Sequence, residues 1–253
     1  MRGFVRDLRA EFLKMRRTFL YPMHLIVPVV GSSVFLLYYS YAACYSEAAQ
    51  VAGYVEIIGS VFPLLASIIC AGNIGLEESG HFQTFLGNHT CKGRAFFTKW
   101  LALLLSGTLA VVLAMVLFAA GYSFLPGKEG LSAGVYSILT VLICLGSAPV
   151  YLEHLFLNLQ FGRAVSMGVG AAQFLLTALF LTGLGDGRWY FFPSTWSARW
   201  SMTVLTCLAR DEYAGRLVAE MKYAGVLCLL ILTALCAMIG IWFHFYEGRR
   251  LDD

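Results

Sequence analysis

The chain has 253 residues, 59% of them hydrophobic, 15% aromatic and only 13% charged, with a formal net charge of +3. A soluble domain clothes its surface with about 25% charged residues, a disordered chain lacks this much apolar content, and the seven cysteines are scattered through apolar runs rather than set out as a disulfide framework. What remains is an integral membrane protein with several spans.

Residues 1–18 open the chain without forming a span. Phe4, Leu8, Phe12 and Met15 recur at helical spacing, Val5 and Leu13 widen the stripe, and Arg2, Arg6, Arg9, Lys14, Arg16 and Arg17 supply the charged remainder. The pattern predicts an amphipathic helix lying in the headgroup layer. The simpler reading is a basic anchor that only sets topology.

A hydrocarbon core of roughly 30 Å takes about 20 apolar residues in helical form. Six stretches qualify, at about 19–42, 52–74, 100–122, 131–152, 164–184 and 223–243. None contains Lys or Arg, and no run alternates as a barrel strand does. The expected fold is therefore an all-α membrane bundle of six transmembrane helices, one domain over 1–253. The first run is too long for a signal peptide, and Tyr41-Ala42-Ala43-Cys44 matches a lipoprotein cleavage box poorly, so an uncleaved first span is expected. Pro22, Pro28 and Pro63 predict kinks in the first two spans. Glu56, one turn inside the second span, reads either as a functional carboxylate or as one that reaches the headgroups.

Between the second and third spans, Glu77 and Glu78 sit where carboxylates favour a helix N-terminus. Phe82, Phe85 and Leu86 then share a face at i, i+3, i+4, with Gln83 among them and Gly87-Asn88 as the stop. A short amphipathic helix presented to solvent suits docking into a groove of another protein, or else it folds against the membrane surface. In the fifth span Ala164, Gly168 and Ala172, with Ser166 and Gly170 nearby, form a small-residue ridge that should meet a helix of this chain or of a partner. The segment 185–222 begins with a Gly185-Asp186-Gly187 turn. Its Trp189, Tyr190, Phe191, Phe192, Trp196 and Trp200 read mainly as an interfacial aromatic belt, and 198–209 and 211–222 as short helices.

Twelve of the 18 basic residues fall on the side of the N-terminus and six on the other, which puts both termini in the cytoplasm. No G-x-x-x-x-G-K-[ST] loop is present, so the chain is not expected to bind ATP alone. His81, His89, Cys91, Glu77 and Glu78 share a loop but match no zinc spacing. Cys44 and Cys207 fall on the same side, without a spacing that argues for a disulfide. Glu77-Glu78 with a later His154-x-x-x-Asn158 superficially fits an intramembrane CAAX-type protease, but Phe82 stands where that motif has Arg, and the carboxylates lie in a polar loop.

The architecture, with its basic lead-in, helical loop after the second span and long segment before the last, resembles a type-2 ABC exporter permease. Within that superfamily the chain resembles the lantibiotic-immunity permeases, specifically the G-subunit (MutG-like) group. The resemblance is carried by Ala10-Glu11-Phe12-Leu13-Lys14-Met15-Arg16-Arg17-Thr18, by His24, Pro28 and Phe35-Leu36-Leu37-Tyr38-Tyr39-Ser40, and by Glu77-Glu78-Ser79-Gly80-His81-Phe82-Gln83-Thr84-Phe85-Leu86, with Pro193-Ser194-Thr195-Trp196 a weaker echo. Phe85 replaces a Leu of the family pattern.

The resemblance implies a bacterial cell-membrane permease subunit that is not itself an enzyme and holds no cofactor. ATP and Mg would sit on two copies of a separate ABC ATPase, and a second, related permease subunit would pair with this one. The complex would expel lanthionine antimicrobial peptides from the membrane lipid; nucleic acid has no place in it. By position, Glu77, Glu78, Phe82, Gln83, Phe85 and Leu86 would form the coupling helix, and residues 1–18 the elbow helix. Two other readings stay open: a type-2 ABC permease for another amphipathic cargo, such as a bacitracin-like peptide or a lipid, and a non-transporting membrane sensor or scaffold.

Overall fold

A computed structural model describes residues 2–41, 45–87, 92–209 and 211–248. Cys44, Asn88, His89, Cys91, Arg249 and Arg250 lie outside them. The elements run α1 (Arg2–Met15), α2 (Leu20–Tyr41), α3 (Glu47–Glu78), α4 (Gln83–Gly87), α5 (Lys92–Ser123), α6 (Ala133–Phe161), α7 (Arg163–Phe180), three single 3-10 turns between Gly183 and Thr195, α8 (Trp196–Ala209) and α9 (Asp211–Phe245). Among the described residues, six helices are long and apolar enough to cross a membrane: α2, α3, α5, α6, α7 and α9.

The helices exceed their apolar runs wherever polar ends find partners. Ser46 caps α3 with its side chain on the Ala49 N–H, and Ser132 caps α6 on the Val135 N–H. At the other end α3 continues through Glu77 and Glu78, and α5 already begins at Lys92, because their charged residues pair with one another across the bundle. The reading of Glu77-Glu78 as a helix start is thus corrected: they close α3. Carboxylates oppose the dipole at a helix C-terminus, and Lys14, Lys99 and Arg163 offset this by pairing with them. The expected short helix 211–222 is the first part of α9, which runs unbroken to Phe245. Conversely, α7 stops at Phe180, short of the expected 184.

Six alternating crossings place α1, the starts of α2, α5 and α7 and the ends of α3, α6 and α9 together. Contacts fix this end: Lys92 Nζ donates to the Tyr246 carbonyl at 3.0 Å, and Tyr246 Oη to the Leu159 carbonyl at 3.0 Å. At the far end Glu47 accepts the Glu129 and Gly130 N–H groups at 3.2 and 2.8 Å, and Tyr122 Oη donates to Gln50 Oε1. α3 and α6 are the interior helices, whereas α2, α7 and α9 keep most of their surface outward. Ser32 of α2 and Tyr54 of α3 both donate to the Ala114 carbonyl of α5, at 3.1 and 2.9 Å, pinning three helices at mid-depth. The short α8 inserts between α3 and α6. Its close approach depends on Gly59 and Gly146, where a Cβ would lie 2.7 Å from Ala198 Cβ and 2.5 Å from the Ser197 nitrogen.

Candidate functional site

The end that carries α1 holds the densest polar chemistry. Lys99 of α5, 1% exposed, donates to Glu11 Oε2 at 2.6 Å, Glu77 Oε1 at 2.8 Å and Asn73 Oδ1 at 2.9 Å. Lys14 of α1 reaches the same two carboxylates, at 2.7 Å each. The set is neutral, with two ammoniums and two carboxylates, and every charge is hydrogen-bonded, which is the condition under which buried ions are tolerated. Burial works against the Lys14 ammonium, but Glu11 and Glu77 outweigh it and hold its pKa above the ordinary 10.5. Arg94 adds a 2.6 Å pair to Asp7. The amphipathic α1 is therefore latched onto α3 and α5 by salt bridges as well as seated by its stripe, from which Met15 is buried and Leu8 and Phe12 pack on the core.

Segment 79–87 hangs from this latch. His81 and Phe82 take left-handed backbone, with φ of 49° and 57°, a conformation that costs about 1–2 kcal/mol per residue outside glycine. The turn drops the two phenyl rings into the bundle. Phe82, 3% exposed, lies 6.5 Å from Tyr246, and Phe85, 2% exposed, lies 5.4 Å from Phe243 with Lys99 Nζ 5.2 Å above its ring. Leu86 packs partly against the same cluster.

The expected solvent-facing apolar stripe is thus corrected. Glu77, Phe82 and Phe85 are interior, and the exposed positions of the segment are Ser79, Gly80, His81, Gln83 and Gly87. Phase explains the difference: the spacing survives, with the Leu86 N–H on the Phe82 carbonyl at 2.8 Å, but the left-handed turn rotates the face inward. Glu78 stays at the rim and meets Arg163 at 3.4 Å.

On α7 the ridge Ala164, Gly168 and Ala172 is exposed and is not covered by any helix among the described residues. The inward stripe is Ser166, Gly170 and Thr177. A Cβ at Gly170 would lie 2.5 Å from Ser67 Oγ of α3. Polar chemistry chooses the phase. His154 bonds Ser166 Oγ and Gln173 Oε1 at 3.0 Å each, Asn158 donates to Ser166 Oγ at 2.7 Å, and Gln173 donates to Glu153 at 3.0 Å. Buried amides and imidazoles need partners, and only this face supplies them. The His154/Asn158 and Glu77 groups therefore serve different clusters, one joining α6 to α7 and the other joining α1, α3 and α5.

Two of the aromatics of segment 185–222 are not at the surface. Trp189 and Trp196 are 2% and 1% exposed, and their indole N–H groups donate to Glu220 Oε1 at 3.2 Å and to the Tyr190 carbonyl at 3.0 Å. They form a small core with Ala224 and Cys228. Phe192 stays exposed, and Trp200, 6.1 Å from Trp196, is half-buried. Arg199 closes the segment by donating to the Phe180 and Thr182 carbonyls, the latter at 2.7 Å, and pairing with Asp186 at 3.0 Å. It thereby takes up a carbonyl of α7's last turn, which fits that helix ending early. Glu56 is half-exposed in the half of α3 remote from α1. Cys207 is a free thiol, and Cys44 lies outside the described residues.

Sequence reasoning missed one feature. A cleft of about 170 Å³ opens between α2, α3 and α5, lined by His24, Pro28, Phe35, Ile57, Phe62 and Tyr151 among others. Pro28 and Gly31 of α2 both line it. With this geometry in hand, comparison with known proteins gives no match: no family model, no curated protein and no solved structure corresponds to the chain.

Proposed function

We propose that the chain is the membrane-embedded permease subunit of an ATP-driven exporter, working with a separate ABC ATPase and a second, related permease to expel lanthionine antimicrobial peptides from the bacterial cell membrane. The observation that carries this reading is the mechanical continuity at the α1 end. Segment 79–87 keeps a polar rim outside while its phenyl rings are seated on α5 and α9 and its root, Glu77, is tied to α1. A push on such a rim is delivered to four helices together, because packed cores and buried ion pairs transmit displacement rather than absorb it. The exposed ridge Ala164, Gly168 and Ala172 supports pairing with a second permease. The peptide cargo rests on the sequence resemblance. The cleft between α2, α3 and α5 is apolar and, at about 170 Å³, has room for a length of hydrocarbon rather than a peptide, which favours a lipid as the cargo of a second reading.

The test uses the complete complex in its own membrane. Gln83→Arg with Ser79→Arg changes only exposed positions of the rim. It is expected to abolish ATPase co-purification and resistance across a panel of lanthionine peptides, with unchanged membrane insertion and thermal midpoint. Retention of both activities refutes the coupling role. A wild-type chain that carries no ATPase at all refutes ATP-driven export in favour of a sensor or scaffold.

A further inference from the structure

A groove of about 700 Å³ runs between α1, α2 and α5, lined by Arg9, Phe12, Leu13, Met15, Arg16, Leu20, Tyr21, His24, Leu25, Ser106, Leu109, Ala110 and Leu113. Its volume lies within the ~300–1,000 Å³ of ordinary ligand sites. Its two ends differ in chemistry. At the α1 end stand Arg9 and Arg16, both exposed, with Arg17 beside an adjoining hollow formed with Leu13 and Arg16.

Cations elsewhere in this region are already engaged: Lys14 and Lys99 with Glu11 and Glu77, Arg94 and Arg6 with Asp7. Among the described residues neither Arg9 nor Arg16 has a carboxylate partner, and no Asp or Glu lines the groove. Toward the bilayer interior the walls turn apolar, with Leu13, Leu25 and Leu109 at 58%, 51% and 67% exposure. The groove ends at His24 and Ala110, which it shares with the cleft between α2, α3 and α5. Two guanidiniums above an apolar trough, on a face turned to lipid, match one molecule: an anion with a hydrocarbon tail. Guanidinium forks suit phosphate oxygens in particular.

We propose that this groove is a binding site for a single anionic phospholipid of the leaflet in which α1 lies. The phosphate sits between Arg9 and Arg16, and one acyl chain lies along Leu13, Leu25, Leu109 and Leu113. The lipid then becomes a third element of the α1 attachment, alongside the buried ion pairs. This inference does not depend on the transport reading.

The experiment is native mass spectrometry of the full chain in mild detergent, with dioleoyl phosphatidylglycerol or phosphatidylcholine added at defined ratio. Wild type is expected to retain one phosphatidylglycerol at least tenfold more than phosphatidylcholine. Arg9→Gln with Arg16→Gln is expected to lower that retention at least tenfold. Arg6→Gln removes half as much charge from the same helix outside the groove and is expected to leave retention unchanged. Leu109→Trp fills the trough at a position that is two-thirds exposed, and is expected to lower retention with all charges in place, so the site is tested even if the double variant folds poorly. Equal retention of the two lipids, an Arg6→Gln loss as large as that of the double variant, or full retention by Leu109→Trp each overturns the proposal.

Discussion

Lys99 illustrates how much one side chain can organise. Its ammonium joins Glu11, Asn73 and Glu77, residues 88, 26 and 22 positions away, and so fastens α1, α3 and α5. Lys99→Met leaves two buried carboxylates facing Lys14 alone, a loss expected to cost about 3–5 kcal/mol because uncompensated buried charge is expensive. The thermal midpoint of the detergent-solubilised chain should fall accordingly. Neutralising the carboxylates together, as Glu11→Gln and Glu77→Gln on the Lys99→Met background, should recover part of that loss, since the pairing rather than the charge is what stabilises. The sequence displayed these residues but not their partnership. Glu77 read as a helix start, and Glu11 stood only in the block that carries the family resemblance. Ion pairs across such separations follow from three helices meeting, which no local spacing encodes.

At the level of elements, α7 offers two stripes of small residues offset by two positions, and so on nearly opposite faces of the helix. The outward one is Ala164, Gly168 and Ala172, and the inward one contains Ser166, Gly170 and Thr177. Both satisfy the small-residue criterion for close helix approach, so sequence spacing alone could not separate them. The imidazole and amides of His154, Asn158 and Gln173 decide the matter by needing partners away from lipid. Gly170→Leu should therefore disrupt the α3–α7 seam and lower stability by about 1–3 kcal/mol, the usual cost of overpacking. Gly168→Leu, with nothing within 4 Å, should leave the stability of the isolated chain intact and instead weaken association with the proposed second permease. Thermal melting together with cross-linking yield in the membrane distinguishes the two. The segment after α3 teaches the same lesson: periodicity correctly grouped Phe82, Phe85 and Leu86, and a left-handed turn at His81 and Phe82 determined which way the group faced.

For the whole molecule, the six crossings were legible because lipid forces every backbone group into an internal hydrogen bond, leaving hydropathy as a sufficient guide. Where helices begin and end was less legible, since caps and ion pairs carry them beyond the apolar runs. Segment 185–222 was least so: tryptophans beside a membrane exit usually anchor at the interface, but here two of them build a core under α8 and α9. Single-tryptophan variants in vesicles should show Trp189 and Trp196 shielded from acrylamide, with quenching constants severalfold below that of Trp200. Helix dimensions add a last consequence. At about 1.5 Å per residue, the 18 residues of α7 measure about 27 Å, and the 32 residues of α3 or α5 about 48 Å. The charged ends of α3 and α5 carry those helices beyond the hydrocarbon, whereas α7 falls a little short of a core of roughly 30 Å, so the bilayer thins around α7. That pinch lies where Ala164, Gly168 and Ala172 face outward, and a neighbouring subunit seated there would relieve elastic strain in the surrounding lipid as well as bury protein surface.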